Sequence, residues 1–179
     1  MRRRSVEPRR VIFIGVEGKS DQAFVRFLGR FCEEAGLHLH LDVRPGSGGD
    51  SVAVVEEAAR HLRHSGKSNI RNRLVLLDRD RIKQDLQAER DAQTVASRAK
   101  LEIIFQEPNL EGLLIRLHQG QENRKIAADK AMAELRKVWP EYSKQLTADQ
   151  LIQRFALSDV QRAAQHDSEL QRLLTVIGL

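Results

Sequence analysis

Apolar residues recur along the chain at two alternating spacings, one typical of buried strands and one typical of helices. Residues 11–16 are apolar almost without interruption, as expected for a central parallel strand that is covered on both faces. The next segment places apolar residues at the i, i+3, i+4 and i+7 positions of a helix that packs on a sheet, namely Phe24, Phe27, Leu28 and Phe31. A buried strand followed by an amphipathic helix is therefore predicted here.

Strand and helix patterns continue to alternate through the first two thirds of the chain. Strands are predicted at residues 37–43, 73–77 and 101–105. Helices are predicted between them, at residues 52–62 and 82–98. Each predicted strand is thus followed by a segment long enough to cross over one face of a sheet.

Beyond Pro108 the apolar spacing is helical, with breaks expected near Gly120, Pro140 and Ser158. The order β-α-β-α-β-α-β followed by helices is typical of parallel-sheet domains. We therefore predict an α/β fold, with a compact parallel four-stranded sheet flanked by helices and a C-terminal helical extension.

The length and charge of the chain set broad limits on its organisation. With 179 residues it can bury one well-packed α/β domain and a small helical appendage. We divide it into a basic flexible N-terminus (residues 1–9), the sheet domain (10–120) and the helical extension (121–179). The net charge of +5 is compatible with a polyanionic partner but does not identify one.

The only cysteine is Cys32, which excludes an internal disulfide and suits a reducing compartment. No segment is apolar over a length that would span a membrane, and the run at residues 11–16 is too short for a secretory leader. We expect a cytoplasmic protein without membrane contact.

Two short acidic motifs lie about sixty residues apart, each at the end of a predicted strand. The first is Glu-Gly-Lys-Ser-Asp, from Glu17 to Asp21, and the second is Asp78-Arg79-Asp80. Ligand sites in open α/β sheets form at the carboxyl ends of the strands, so these carboxylates are expected to meet there. Carboxylates at such close range repel one another unless a cation lies between them. Together the motifs predict a Mg²⁺ (or Mn²⁺) site, because this ion binds a few carboxylates and several waters.

Each motif also has a purely structural interpretation. Asp and Glu at strand ends commonly cap helices and form turns, and an isolated Asp-x-Asp carries little information. The joint occurrence of both motifs, each directly after an apolar strand, is what favours a metal site.

These motifs resemble the two motifs of the Toprim domain, which is shared by topoisomerases, bacterial primases, recombination proteins and OLD-family nucleases. The resemblance implies that Glu17, Asp78 and Asp80 form a catalytic, magnesium-binding acidic centre. Asp21, four residues after the glutamate, resembles the extra metal ligand of OLD-like nucleases.

A further stretch, Phe-Gln-Glu-Pro-Asn-Leu-Glu-Gly-Leu-Leu-Ile at residues 105–115, is similar to the Asn-Pro-x-Phe-Glu-x-Trp-Leu-Leu block of RloB-like Toprim proteins. Glu111 matches the glutamate of that block and becomes a candidate ligand of a second ion. Glu107 stands where the block has asparagine, and Leu113 replaces its tryptophan. The resemblance covers roughly residues 10–118.

Several Toprim subgroups fit the sequence less well than the stand-alone nucleases of the RloB or OLD kind. Arg81 and Ile82 replace the Asp-x-Asp-x-Glu continuation of topoisomerases and primases. The single cysteine does not match the zinc-binding cysteines of the recombination proteins, and the Pro-Gly of a ribosomal-RNA maturase is missing after the aspartate pair.

Basic residues near the motifs are candidates for phosphate contacts. Lys19 lies in a Gly-Lys-Ser that copies the end of a P-loop, but Phe13 occupies the place of the first P-loop glycine. Lys19 or Arg79 could stabilise charge on a phosphate, and Arg9 and Arg10 could contact a nucleic-acid backbone. A solvated lysine and a frayed, solvated terminus are the structural alternatives.

The resulting hypothesis is a magnesium-dependent Toprim nuclease that hydrolyses phosphodiester bonds of DNA or RNA. The RloB-like and OLD-like resemblance implies a role in host defence, with a possible protein partner from a defence system. The alternative is a non-catalytic Toprim module that binds nucleic acid or a protein, and a primase-like nucleotidyl transferase is more distant. The choice between DNA and RNA and the oligomeric state stay open.

Overall fold

The fold is built on one parallel sheet, as the sequence predicts. The structure, a computed structural model, describes residues 9–66, 70–80 and 86–179. The strands are β1 (Arg10–Val16), β2 (Leu39–Pro45), β3 (Ile70–Asp78) and β4 (Glu102–Gln106). They lie in the order β2-β1-β3-β4, and every neighbouring pair is parallel. The predicted α/β class with a four-stranded parallel sheet is confirmed.

Helices follow each of the strands and make up the C-terminal third of the chain. Those that follow β1, β2, β3 and β4 are α1 (Lys19–Glu34), α2 (Ser51–His64), α3 (Leu86–Ala99) and α4 (Leu110–Arg116). The extension contains α5 (Ala128–Val138), α6 (Ala148–Arg154), α7 (Leu157–Ala164) and α8 (Ser168–Ile177). Within the described ranges, none of the helices combines the length and the apolarity needed to cross a membrane.

The central strands are apolar on both faces because each face supports a different layer of helices. Ile12, Ile14 and Val16 of β1 pack with the phenylalanines of α1. Phe13, which points to the other face, packs with residues of α2 and α3 such as Val55. The uninterrupted apolar run of β1 therefore serves two separate hydrophobic clusters.

The helical extension packs on the same core as α1. Leu135, Leu151 and Leu174 belong to the cluster that contains the β1 residues. A buried ion pair, Arg116 Nη2 to Asp167 Oδ2 at 2.7 Å, joins α4 to the start of α8. Burial without a partner would make either charge costly, so this pair fixes the extension against the sheet domain.

Several element boundaries differ from those predicted by one to three residues; β3, for example, begins at Ile70 and not at residue 73. The strand predicted at residues 37–43 is β2, which begins at Leu39, because the Leu37 N–H still bonds to the Cys32 carbonyl at the end of α1. The break predicted near Ser158 comes earlier, since the Asp159 carboxylate accepts from the Ala156 N–H and caps α7 there.

Other predicted segments lie partly outside the described residues. These are the helix predicted at residues 82–98, which is described from Leu86 onward, and most of the basic N-terminus.

Helix α2 lies against β1 at Gly15, and this contact yields a prediction. A Cβ at residue 15 would come within 2.5 Å of the Ala58 Cβ. Gly15→Ala should therefore lower the free energy of unfolding by about 1–3 kcal/mol, the usual cost of overpacking a core. Urea denaturation of both proteins measures the difference.

Gly29→Ala is the matched control, because a Cβ there would meet only Leu41 Cδ1 at 3.5 Å, an ordinary contact. In the interior of α1 this change should raise stability, by up to about 1 kcal/mol. A Gly15→Ala protein as stable as the wild type would contradict the described contact between α2 and β1.

Candidate functional site

Four carboxylates from three parts of the chain line one cleft at the carboxyl edge of the sheet. Glu17 follows β1, Asp21 lies in the first turn of α1, Asp78 ends β3, and Glu111 lies in the first turn of α4. The cleft has a volume of about 480 Å³. We call it the acidic cleft; the other residues that line it are Gly18, Lys19, Ser20, Gly46, Ser47, Gly48, Leu110 and Lys144.

The turn between β1 and α1 places Glu17 and Asp21 on the same rim. Gly18 is the N-cap of α1 in an extended conformation, and its N–H donates to Asp21 Oδ2 at 3.2 Å. Asp21 is only 8% exposed, so its carboxylate is held rigidly. The structural interpretation of Asp21 as a helix cap is thus correct, and it does not exclude a role in the cleft.

Asp78 is held in place by the start of α4 and by β4, the neighbouring strand of the sheet. Its Oδ1 accepts from the Leu110 N–H at 3.2 Å, at the start of α4. Gln106 is its register partner on β4. The neighbouring carboxylates orient the side-chain amide of Gln106 so that its nitrogen faces them. This nitrogen donates to Asp78 Oδ1 at 3.1 Å and to Asp21 Oδ1 at 3.0 Å. Gln106 therefore connects the two acidic motifs. The sequence feature that could have indicated this role is its position directly after the strand predicted at residues 101–105.

Burial and mutual repulsion shift the titration of these carboxyl groups. Burial, followed by the charges of Asp21 and Glu17, raises the pKa of Asp78 to about 8. Burial, followed by the charge of Glu17, raises the pKa of Asp21 to about 6. Without a cation, the acidic cleft therefore keeps a proton on Asp78 at neutral pH.

Asp80 lies beside the acidic cleft and does not line it. In an extended backbone the side chains of Asp78 and Asp80, two residues apart, would project to the same side, but β3 ends at Asp78 and the next two residues are helical. Asp80 Oδ2 accepts from Asn109 Nδ2 at 3.2 Å. Its Oδ1 is buried and has no hydrogen-bond partner within the part of the chain that the structure describes. Such an atom is costly to leave unpaired, and it is available as a ligand atom.

The predicted phosphate-contacting cations fall in different places. Lys19 is exposed at the rim of the acidic cleft. Arg79 instead lies over the ring of Phe105, 4.0 Å from its centroid, and pairs with Glu107 at 3.5 Å. Arg10 begins β1 at the opposite end of the sheet and donates to the Val176 carbonyl at 2.8 Å. Arg9 precedes it there. Of these four residues, Lys19 alone borders the acidic cleft.

The helical extension contributes groups that the sequence did not indicate. Tyr142 is buried, and its hydroxyl donates to Glu111 Oε1 at 3.1 Å. Burial and the charge of Glu111 both raise the pKa of Tyr142, so it remains a donor. Its ring also packs on Trp139, so the residue takes part in helix packing as well. No sequence signal links Tyr142 to Glu111, because the two are 31 residues apart and Tyr142 lies in an extension without recognised motifs.

The Gly-rich turn after β2 forms another part of the rim. Glu57 of α2 holds it through two hydrogen bonds, from the Ser47 N–H at 2.8 Å and from the Ser47 hydroxyl at 3.1 Å. The Gly46 N–H donates to the Val16 carbonyl at 2.7 Å, directly before Glu17. The turn is therefore anchored beside the carboxylates at both of these residues.

The donor set suits a hydrated magnesium site and not an all-protein cage. Among residues 9–66, 70–80 and 86–179, no group of three or more His, Cys, Asp or Glu side chains is arranged to hold a metal ion. Mg²⁺ usually binds through one or two carboxylates and retains several waters. The open volume and the pair Glu17 and Asp78 meet that requirement.

Comparison with known proteins gives no relative for this chain. No protein-family model matches it, and neither curated proteins nor solved structures contain a match. The Toprim and RloB-like resemblance therefore remains a prediction that is based on the sequence motifs.

The raised pKa of Asp78 predicts how stability depends on pH when no metal is present. Between its ordinary pKa of 3.8 and about 8, the folded protein holds a proton that the unfolded chain has lost. The free energy of unfolding should therefore fall as pH rises through this window. Asp78→Asn removes the ionisation and should stabilise the metal-free protein at pH 8, by at least about 1 kcal/mol, the equivalent of one pKa unit.

Urea denaturation in the presence of a chelator, at several pH values between pH 5 and pH 8.5, tests this prediction. Asp91→Asn, which changes an exposed carboxylate on α3, is the control and should leave the pH dependence unaltered. An Asp78→Asn protein that is less stable than the wild type at pH 8 would contradict this prediction, because it would show that the ionised Asp78 does not destabilise the fold.

Proposed function

We propose that this protein is a nuclease that uses Mg²⁺ or Mn²⁺ to hydrolyse phosphodiester bonds of nucleic acid. The observation that supports the proposal is the convergence of Glu17, Asp21, Asp78 and Glu111, from three elements, on one open cleft at the carboxyl edge of the sheet. A partly buried carboxylate cluster is unfavourable by itself and becomes favourable when a cation enters it.

Each carboxylate has a proposed role. Glu17 and Asp78 would hold the principal ion together with Asp80, whose Oδ1 has no hydrogen-bond partner among the described residues. Asp21 and Glu111 would serve a second ion, and the Tyr142 hydroxyl would orient Glu111. Bound ions of this kind orient a water and stabilise the leaving oxygen of a phosphodiester.

Two lysines at the rim supply positive charge where a phosphate would enter. Lys19 and Lys144 both line the acidic cleft and are exposed. The Ser20 hydroxyl donates to the Lys144 carbonyl at 2.8 Å and holds this segment beside the first turn of α1. Their ammonium groups would offset the charge that develops on a phosphate during cleavage.

The motif resemblance extends the proposal to a biological setting. A Toprim nuclease of the RloB or OLD kind would act in the cytoplasm in host defence, together with a protein partner from the same system. This part of the proposal is based on kinship of motifs and not on the geometry of the cleft.

The direct test is cleavage of plasmid DNA, single-stranded DNA and RNA by the purified protein. We expect cleavage with Mg²⁺ or Mn²⁺, none with a chelator, and a loss of about 100-fold or more for Asp78→Asn, since an essential metal ligand is removed. Asp91→Asn is again the control and should cleave as the wild type does.

Two outcomes would contradict the proposal. One is a folded protein that cleaves none of the three substrates with either metal, and the other is cleavage that Asp78→Asn leaves unchanged. Binding of nucleic acid without cleavage in any metal would instead support the alternative of a non-catalytic module.

A further inference from the structure

A second, larger depression adjoins the acidic cleft and follows α1 away from it. Its volume is about 820 Å³, and it shares Lys19 and Lys144 with the acidic cleft. One wall is α1, the opposite wall is the segment 144–149 of the extension, and the side of β2 completes it. We call this depression the basic groove.

The contribution of α1 is a single stripe that runs along nearly the whole helix. Lys19, Gln22 (or Ala23), Arg26, Arg30 and Glu33 follow the three- and four-residue spacing of one helical face, and neighbouring residues widen the stripe. From Lys19 to Glu33 the stripe is about 20 Å long, at 1.5 Å of rise per residue. The α1 residues that line the groove are Lys19, Gln22, Ala23, Arg26, Gly29, Arg30, Cys32 and Glu33.

The basic groove carries a surplus of three positive charges. Five lysines and arginines line it, whereas the only carboxylates in its lining are Glu33 and Asp149. Both carboxylates lie near Arg30, at 3.9 and 3.7 Å. The other four cations make no side-chain ion pair or hydrogen bond within the described part of the chain; they are Arg9, Lys19, Arg26 and Lys144. Exposed cations without internal partners are available to an anionic ligand.

The remaining lining of the groove is largely apolar. Leu39, Leu41 and Val43 of β2 lie along it, and Leu146 lies on the opposite wall. A surface that combines spaced cations with apolar side chains matches a strand of nucleic acid, which presents charged phosphates and flat base faces. Base faces are accessible in a single strand and stacked inside a duplex, so apolar side chains between the cations favour a single strand.

We propose that the basic groove binds a single strand of nucleic acid and leads it into the acidic cleft. This inference rests on the proposed function, because it names the form of the substrate that reaches the carboxylates. At 3.4 Å per stacked nucleotide, a groove about 20 Å long accommodates about six nucleotides. It also gives the helical extension a function, since residues 144–149 form a wall of the groove.

The groove explains how Arg9 can act at a distance from the carboxylates. Because α1 runs antiparallel to β1, the end of the groove at Glu33 lies near the amino end of β1, where Arg9 is located. Arg9 would therefore contact a phosphate several nucleotides away from the one that is cleaved. Arg26 lies between these two ends.

The test is the binding of fluorescent oligonucleotides of about 12 nucleotides, followed by anisotropy in a chelator at several salt concentrations. Arg9→Ala/Arg26→Ala should weaken single-strand binding by about 10-fold at low salt and reduce the slope of log affinity against log salt by about 1.4, or about 0.7 for each lost phosphate contact. Lys130→Ala/Arg136→Ala removes the same charge from exposed positions of α5 outside the groove. This control should change affinity by less than about 3-fold, because it alters only the general field of the protein.

Three results would overturn the inference: equal losses for the two double variants, duplex binding as tight as single-strand binding, or no salt-dependent binding of any oligonucleotide. The last result would indicate that a protein segment, and not nucleic acid, binds along β2.

Because binding is measured without metal, it is independent of cleavage. A protein that binds through the groove but never cleaves would refute the proposed function alone. Cleavage of single strands that is indifferent to Arg9→Ala/Arg26→Ala would refute the groove alone.

Discussion

Repulsion among the partly buried carboxylates of the acidic cleft is the interaction on which the proposed site depends. Strands β1 and β3 are neighbours in the sheet, so the ends of both strands bring Glu17 and Asp78 to the same edge. Burial and neighbouring negative charges raise the pKa of Asp78 to about 8, which means that the fold holds an arrangement that its own electrostatics oppose. The two hydrophobic clusters on either face of the sheet stabilise that arrangement. Sites that store such strain are commonly functional.

The helical extension completes the site that the sheet begins. Tyr142 donates to Glu111, the Lys144 carbonyl accepts from Ser20, and the Arg116–Asp167 ion pair joins the extension to α4. Each of these contacts joins the extension to the cleft residues or to the helix that follows β4. Removal of the extension would therefore expose the core and open one side of both the acidic cleft and the basic groove.

The sequence predicted the parts of the structure that follow from local pattern. The apolar run of β1 and the phenylalanine stripe of α1 were sufficient to predict the sheet and the helix that covers it. The positions of the strand ends were sufficient to predict that Glu17 and Asp78 lie in one cleft. The strand ends did not bring Asp80 into the acidic cleft, because β3 ends two residues earlier and the chain turns helical there. Tyr142 and the wall of the basic groove were not predictable, since their positions depend on how α5 packs on α4 and how α6 packs on α1.

Calorimetric titration of the wild type and of Asp78→Asn with Mn²⁺ at neutral pH tests the central claim most directly. The account predicts saturable binding to the wild type, because an ion in the acidic cleft relieves the repulsion among its carboxylates. It predicts binding at least about 10-fold weaker to Asp78→Asn, which lacks a principal ligand. Absence of binding to the folded wild type at millimolar Mn²⁺, or equal binding to both proteins, would contradict the assignment of the acidic cleft as a metal site.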